Sequence, residues 1–183
     1  MSRRAAIRDA DSARDAAACA AIYAPLVEAS VVSFEERAPG PAELAARIAG
    51  IQATHPWLVA EDEDEVVGYA YGCPHRSRAA YRWTAEVSVY VADAQRRRGH
   101  GRALYEALLG RLRRQRFQLA VAGITLPNDA SVRLHEGLGF DPVGVYRRIG
   151  WKAGGWRDVG WWQLELAPAG EGAPPEPLPP GVD

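Results

Sequence analysis

The segment Arg96-Arg97-Arg98-Gly99-His100-Gly101-Arg102 brings four arginines and two glycines together within seven residues. It precedes a stretch with helical periodicity, and the N-terminus of a helix attracts anions through its free N–H groups and its dipole. Glycine lets the backbone approach a bound anion closely, and guanidinium groups pair with phosphate oxygens. These residues predict a site for a ligand that carries a pyrophosphate and a third phosphate group.

A solvated helix face rich in arginine is the alternative interpretation of this segment, and the residues alone leave both open. The segment is not a Walker A loop, because no Gly-Lys-Ser or Gly-Lys-Thr follows at the required spacing. It is not a dinucleotide-binding fingerprint either, since Leu104 occupies the position of the third glycine.

Glu86 is a carboxylate within the stretch Trp83–Val91, which is otherwise rich in aromatic and β-branched residues. In an ideal strand it shares one face with Ser88 and Tyr90. A buried carboxylate needs a partner or a function, which makes Glu86 a candidate general base. The alternative is an exposed glutamate on an edge strand.

The elements that would position these residues alternate between strand and helix. Hydrophobic patterning predicts strands near Ile7 and over Trp57–Glu61, Val66–Tyr71, Trp83–Val91, Leu119–Leu126, Val143–Ile149 and Val159–Leu166. Four helices are predicted, beginning at the N-cap Asp11, at Gly40-Pro41, after Gly101 and near Ser131. Pro25 is expected to kink or end the first helix, and the third is expected to turn Leu104, Leu108 and Leu112 inward. This alternation predicts an α/β sheet covered by helices.

Composition narrows the class of protein. The chain has 183 residues, with 22 lysines plus arginines against 23 aspartates plus glutamates, and this balance argues against a dedicated nucleic-acid binder. No apolar run is long enough to span a membrane, and Cys19 and Cys73 fit a reducing compartment, so a cytoplasmic location is expected. We expect one domain over residues 1–166 and a disordered Pro/Gly-rich tail over 167–183.

Two motifs resemble those of a known superfamily. Arg96-x-x-Gly99-x-Gly101, directly after a predicted strand, is similar to the acyl-CoA pyrophosphate motif of the GNAT superfamily of N-acetyltransferases. About thirty residues further on, the stretch from Asn128 to Phe140 resembles the second cofactor-side motif of that superfamily, an Asn, a short helix and a closing Gly-Phe. Two motifs in this order and spacing are much more specific than either alone.

Within the superfamily the chain looks like the phosphinothricin N-acetyltransferases and their relatives that acetylate methionine sulfone or sulfoximine. The similarity covers nearly the whole chain up to about Leu166, and it is carried by these stretches: Pro56–Glu61, Tyr81–Glu86, Val89–Val91, Leu126–Asp129 and Trp156–Leu164. Only the proline-rich tail lies outside it.

The resemblance implies a GNAT fold, with a mixed, mostly antiparallel central sheet and helices on both faces. It also implies acetyl transfer from acetyl-CoA to the α-amine of a small amino-acid-like substrate such as phosphinothricin, methionine sulfone or methionine sulfoximine. A homodimer and a role in herbicide resistance or amino-acid detoxification would follow. Independently of the resemblance, His55, His75 and His100 show no shared metal spacing, so no metal is expected, and the charge balance and hydropathy predict no nucleic-acid or membrane partner.

The resemblance also assigns roles to two titratable residues. Glu86 stands at the position of the general base, acting directly or through water. His135 stands where many GNAT proteins carry a tyrosine that protonates the departing thiolate, although a packed structural histidine is an alternative. Which of the two is the base stays open.

Further residues are implied to bind the two substrates. Those expected to contact the cofactor are Val89, Tyr90, Val91, Arg96, Arg97, Arg98, Gly99, His100, Gly101, Arg102 and Asn128. The first three would pair with the pantetheine arm and the thioester oxygen through backbone groups. Those expected to contact the acceptor are Phe34, Arg76, Arg78 and Tyr81, for which the alternatives are packing and solvated loop arginines. The tryptophans Trp151, Trp156, Trp161 and Trp162 are interpreted as core and dimer surface.

The sequence leaves open two alternatives, one to the acceptor and one to the catalytic function. The acceptor could instead be another small amine, such as a polyamine or aminoglycoside, or a peptide N-terminus. The chain could also be a non-catalytic module that binds acyl-CoA, or RNA through its arginines, and RNA binding would weaken steeply with salt.

Overall fold

In the computed structural model, which describes residues 5–168 and 170–181, strands and helices alternate as the hydrophobic pattern predicts. The strands are β1 (Ala6–Asp9), β2 (Trp57–Asp62), β3 (Glu65–Pro74), β4 (Thr84–Val91), β5 (Leu119–Leu126), β6 (Asp141–Lys152) and β7 (Gly155–Glu165). The helices are α1 (Ser12–Glu28), α2 (Pro41–Gln52), α3 (His100–Arg114) and α4 (Asp129–Glu136), and short 3₁₀ turns lie at Ala79–Tyr81 and Asp93–Gln95.

The strands form one sheet in the order β1-β2-β3-β4-β5-β7-β6. Within the described part of the chain the β4–β5 pair is parallel and the other neighbours are antiparallel. Helix α3 and residues of α4 pack on one face against Ala85 and Val87, while α1 and α2 cover the other face against Val59 and Tyr69. The predicted fold class, a mostly antiparallel sheet with helices on both faces, is confirmed.

The parallel β4–β5 pair is short, and this opens the middle of the sheet. β4 and β5 pair only over Thr84–Glu86 and Leu119–Val121, although both strands continue for five more residues. Beyond Glu86 the two strands therefore separate and leave a gap in the middle of the sheet. Their unpaired backbone groups need other partners, because buried N–H and C=O groups are almost always hydrogen-bonded.

The sequence predicts that Pro25 either kinks or ends helix α1, and the structure shows that it does not end it. Asp11 caps the helix as expected, with its side chain accepting from the N–H groups of Ala13 and Arg14. The helix does not end at Pro25 but continues to Glu28, and the N–H of Ala29 donates to the Pro25 carbonyl at 3.0 Å. Proline removes one donor, yet its own carbonyl still accepts the next helical bond.

The C-terminal segment 170–181 packs against the domain, whereas the sequence predicts a disordered tail. Leu178 and Gln115 exchange backbone and side-chain hydrogen bonds of 2.7–2.8 Å, and Trp83 Nε1 donates to the Pro175 carbonyl at 2.9 Å. Arg82 pairs with both carboxylate oxygens of Glu176 at 2.7 Å. The contacts use backbone groups and one ion pair, so a search for apolar anchors does not detect them.

Candidate active site

The gap between β4 and β5 is edged by backbone groups of alternate β4 residues. At one end the Trp83 carbonyl accepts from the Gln118 N–H on the β5 side, and at the other the Ala92 N–H donates to Val67 of β3. Backbone groups in a strand alternate between its two sides, so those of Val89 and Val91 point into the gap. Tyr90, which the sequence included with them, directs its backbone groups to β3 and packs its ring against Tyr23 and Tyr69.

A tight turn closes the wide end of this gap. Arg97 and Gly99 both adopt left-handed backbone conformations, with φ of 63° and 86°, and α3 begins directly after Gly99. No side chain caps the helix, and its first intrahelical bond is from Ala103 to Gly99. The N–H groups of the first turn therefore remain available for an anion at the positive end of the helix.

The arginines of the turn are oriented for solvent and ligand. Arg97 and Arg98 are exposed, Arg96 pairs with Asp93 at 3.1 Å, and Arg102 donates to the Gly137 carbonyl at 2.9 Å. The latter bond ties the start of α3 to the end of α4. His100 differs from its neighbours because it is buried, and its Nε2 has no hydrogen-bond partner among the described residues.

A cavity of about 430 Å³ joins the turn to the gap. Its walls are Val89–Val91, most of the turn from Gln95 to Arg102, Leu26, Val32 and the start of α4 from Asn128 to Leu134. A narrower space adjoins it between Val87–Tyr90 and Ala122–Thr125. Asn128 borders both spaces and caps α4, its Oδ1 accepting from the Ser131 N–H at 3.1 Å, so its NH₂ group is the part left for a ligand.

His135 lies at the bottom of the narrower space and is held on both ring nitrogens. Nδ1 is 2.7 Å from the Ser131 carbonyl, so it must carry the hydrogen, and Nε2 then accepts from the hydroxyl of Tyr105 at 3.0 Å. His135 is 3% exposed, and burial lowers the pKa of its imidazole. Burial likewise raises the pKa of Tyr105 well above its usual value. The pair is therefore neutral imidazole and neutral phenol.

Glu86 lies at the vertex where β4 and β5 part, on the sheet face opposite α3. The sequence suggests a buried carboxylate, but this side chain is 32% exposed. Its Oε2 is 3.0 Å from Nδ1 of His75, the residue that follows the end of β3. The His75 ring in turn packs edge-on against Tyr81 and Trp161.

The residues predicted to contact the acceptor are only partly gathered on this face. The Arg76 guanidinium lies 6.0 Å above the Trp161 ring, and Tyr81 reaches the same cluster through His75. Phe34 lies further along, against Gly150 of β6, on the loop between α1 and α2 that also supplies Val32. Arg78 lines a cavity of about 450 Å³ beside the C-terminal segment, and Arg76 and Tyr81 border that cavity as well.

Comparison with known proteins accounts for this geometry. The model of the acetyltransferase (GNAT) family matches residues 23–140. The phosphinothricin N-acetyltransferase of Streptomyces viridochromogenes is 44% identical over 174 residues, covering 95% of this chain and 93% of that protein. This chain belongs to the GNAT family of acetyltransferases.

Two further relatives agree with this assignment. The L-methionine sulfoximine/L-methionine sulfone acetyltransferase of Pseudomonas paraeruginosa is 40% identical over 169 residues, covering 90% of this chain and 96% of the relative. The crystal structure of a GNAT phosphinothricin acetyltransferase from Sinorhizobium meliloti in complex with acetyl-CoA superposes with a TM-score of 0.90 at 36% identity, covering 95% of each chain. The predicted family, fold and acetyltransferase activity are confirmed.

The structure brings three residues to the gap and to Glu86 that the sequence does not place there. The sequence assigns no role to Tyr105, considers His75 only for a metal site, and places Trp161 in the core or dimer surface. The sequence pattern could have indicated only Tyr105, because it lies beside Leu104 and Leu108 on the buried face of α3, where a hydroxyl group needs a hydrogen-bond partner. His75 and Trp161 depend on strand register, which the sequence does not define.

The described residues contain neither a candidate metal site nor a candidate membrane span. No three or more His, Cys, Asp or Glu side chains among them are grouped so that they could hold a metal ion. No helix in the described ranges is both long and apolar enough to cross a membrane.

Proposed function

We propose that this acetyltransferase moves the acetyl group of acetyl-CoA to the α-amine of a small amino-acid-like acceptor of the phosphinothricin, methionine sulfone or methionine sulfoximine type. The observation that carries the proposal is the gap between β4 and β5, which has a phosphate-binding turn at its mouth and Glu86 at its vertex. The relatives named for these acceptors are similar along almost their full length.

Acetyl-CoA fits this gap in charge and in hydrogen-bonding groups. Its pyrophosphate would bind the free N–H groups at the start of α3 and the side chains of Arg97 and Arg98, with Arg96 and Arg102 exchanging protein partners for phosphate. Its pantetheine amides would pair with the backbone of Val89 and Val91, as an added strand would. The thioester then lies between β4 and β5, within reach of Glu86.

The reaction is direct attack of a neutral amine on the thioester carbonyl. Glu86 takes a proton from the bound ammonium, directly or through one water, and its partial exposure lets that proton leave to solvent. The C–N bond forms, and the backbone N–H of Val89 points to the side where the oxyanion develops. The C–S bond then breaks and the thiolate takes up a proton.

The contacts of His135 favour a supporting role for it in that last step. Its only hydrogen is on Nδ1 and is used by Ser131, so His135 has no proton to give towards the gap. The hydroxyl of Tyr105 borders the same space and is hydrogen-bonded to Nε2. We assign the donation to Tyr105. As the C–S bond breaks, the Tyr105 hydroxyl turns from Nε2 of His135 to the thiolate and gives its proton there, and the phenolate takes a proton back from solvent once the products leave. Glu86 is the remaining candidate for the base.

An anionic acceptor fits the face beyond Glu86. Arg76 lies beside Trp161 and forms no ion pair with a carboxylate of the residues that the structure describes, so its guanidinium can bind the carboxylate and the phosphinate or sulfone oxygens of such a substrate. Tyr81, Trp161 and Phe34 would provide the apolar walls. Arg78 would contribute only if the 75–83 loop rearranged.

The test is a panel of acceptors with release of free thiol from acetyl-CoA as the readout. Phosphinothricin, methionine sulfone and methionine sulfoximine should react, whereas polyamines and an N-terminal peptide should not. A protein that releases thiol fastest with a polyamine or a peptide would contradict the acceptor class. Absence of transfer to any amine, together with salt-sensitive RNA binding, would instead support the non-catalytic alternative.

We also propose that the enzyme works as a cytoplasmic homodimer. The edge strand β6 exposes a row of large apolar side chains, which marks an interaction surface: Val143, Val145, Tyr146 and Ile149. The tip tryptophans Trp151 and Trp156 extend it. Sedimentation should give a dimer for the natural chain and a monomer for Ile149→Lys.

A further inference from the structure

A histidine outside every predicted role is hydrogen-bonded to the proposed base. His75 directly follows Pro74, the last residue of β3, and the β3–β4 register sets Cys73 opposite Glu86. Side chains that alternate along β3 therefore bring His75 to the face of Glu86. The distance from Nδ1 to Oε2 is 3.0 Å, within hydrogen-bonding range.

The surrounding rings fix the orientation of this imidazole. The centroids of Tyr81 and Trp161 lie 6.0 Å and 5.5 Å from that of His75, and both rings cross its plane at 75°. The His75 side chain is only 17% exposed. Because the His75 ring is mostly buried and has two edge-on ring contacts, its side-chain torsions have little freedom. Nδ1 is thus directed at the carboxylate by packing and not only by charge.

The neighbouring cation is turned elsewhere. The Arg76 guanidinium donates to the His75 carbonyl at 3.0 Å and lies over Trp161. A guanidinium paired with Glu86 would stabilise the anion strongly and make it a poorer base. An imidazole N–H of His75 instead lies within hydrogen-bonding distance of this carboxylate and holds it in place.

We propose that His75 is the positioning residue of the base. Its Nδ1–H holds Oε2 of Glu86, and this leaves Oε1 directed to the acceptor amine or to the water that relays its proton. This inference rests on the proposed role of Glu86. In the step, an N–H bond of the ammonium breaks and an O–H bond forms on Oε1, while the His75 hydrogen stays on Nδ1. The proton later leaves Glu86 for solvent.

Three variants and one double variant test the proposal. His75→Phe keeps a ring between Tyr81 and Trp161 but removes the donor, and His75→Asn restores an N–H near the position of Nδ1. These two variants and Glu86→Gln are each made alone, and His75→Phe is also combined with Glu86→Gln. Steady-state kcat and KM for both substrates are measured with methionine sulfone as acceptor, and the acetyl-CoA-induced shift in Tm serves as the control for folding.

The expected result is a pattern that a purely structural residue would not give. His75→Phe should lower kcat by about 10-fold, less than the roughly 10²–10⁴-fold that a positioned acid–base group contributes because Glu86 itself remains, with KM for acetyl-CoA unchanged. His75→Asn should recover most of this loss. In the Glu86→Gln background His75→Phe should have no further effect, because residues that act through one another are not additive.

Two outcomes would overturn the inference while leaving the proposed function intact. One is loss of activity in Glu86→Gln with natural kcat in His75→Phe. The other is a double variant whose loss equals the product of the single losses. Full activity in Glu86→Gln would instead remove Glu86 as the base. Should His75→Phe not fold, His75→Ala is compared with His75→Asn, and equal kcat in those two also overturns the inference.

Discussion

The hydroxyl of Tyr105 donates to Nε2 of His135 across 3.0 Å at the bottom of the gap between β4 and β5. Both side chains are buried, and the Ser131 carbonyl fixes the imidazole hydrogen on the opposite nitrogen. The two residues come from α3 and α4, whose ends are also joined by the bond from Arg102 to Gly137. One hydrogen-bonded pair thus connects α3 with α4 beneath the gap between β4 and β5.

Tyr105→Phe should therefore affect both chemistry and stability. Without the hydroxyl, Nε2 of His135 is a buried acceptor with no donor, which costs about 1–3 kcal/mol in the free energy of unfolding. The variant also loses the proposed proton donor to the thiolate, so kcat should fall by at least about 10-fold. Thiol release and thermal unfolding measure the two effects.

Tyr23→Phe is the matched control for this change. Its hydroxyl also makes a buried hydrogen bond, 2.7 Å from Ser33 Oγ, but it lies outside the gap. We expect reduced stability with near-natural kcat. Equal losses of kcat in both variants would argue that Tyr105 acts through folding and not through the reaction.

Gly99→Ala should weaken acetyl-CoA binding. Gly99 has φ of 86°, and open space surrounds the position of an added Cβ, so the penalty comes from the backbone and not from a clash. A left-handed conformation costs an L-residue about 1–2 kcal/mol, which the turn would relieve by relaxing away from its anion-binding shape. Calorimetric titration should show a higher Kd for acetyl-CoA.

Gly110→Ala in the same helix provides the comparison. There an added methyl group would meet only the end of the Arg114 side chain at 3.8 Å. Alanine in a helix interior is more favourable than glycine by about 1 kcal/mol, so this variant should gain stability and bind acetyl-CoA normally. An unchanged Kd in Gly99→Ala would show that the turn does not hold the phosphates.

Arg76→Ala should raise the KM of the amino-acid acceptor by about 10-fold or more and leave the KM of acetyl-CoA unchanged, because a bidentate ion pair to the acceptor is lost. Arg78→Ala is the control: both arginines border the cavity by the C-terminal segment, and of the two it is Arg76 whose guanidinium lies over the Trp161 ring. A larger effect from Arg78 than from Arg76 would mean that the loop carrying both residues closes differently over the substrate.

Most of the residues predicted to contact the cofactor line one cavity, whereas those predicted to contact the acceptor are only partly brought together, and the difference has a physical reason. The turn at Arg96–Arg102 and the cap at Asn128 are local features, written in consecutive residues whose chemistry does not depend on distant partners. The face proposed for the acceptor joins Glu86 of β4, Trp161 of β7 and His75, the residue after β3. Its composition depends on register and on the loop at 75–83, neither of which hydrophobic alternation defines.

Glu86 and the C-terminal segment also show that contacts between residues distant in the sequence are not predicted. Glu86 was expected to be buried because its strand is apolar, yet β4 separates from β5 at that residue and exposes it. The C-terminal segment was expected to be disordered because it lacks apolar anchors, yet its backbone pairs with Gln115 and Trp83. In both cases the partner lies far away in the sequence.

His55 should make the protein sensitive to acid before its carboxylates titrate. The ring is buried against Phe117, and burial lowers its pKa from 6.5 to about 4. Below pH 6.5 the unfolded chain binds a proton at His55 that the folded chain does not. The free energy of unfolding should therefore fall as the pH drops from 6.5 to 4, by about 3 kcal/mol from this residue.

Urea unfolding at several pH values between 7.5 and 4 measures this effect by comparison with His55→Gln, which cannot titrate. The buried His135, whose pKa is also lowered, contributes in the same direction in both proteins and cancels. The slope of stability against pH should be smaller in the variant. Thr54→Val, which removes only the hydroxyl 2.8 Å from Nδ1, should keep the natural slope. Parallel curves for the natural chain and His55→Gln would mean that His55 is protonated equally in the folded and unfolded states.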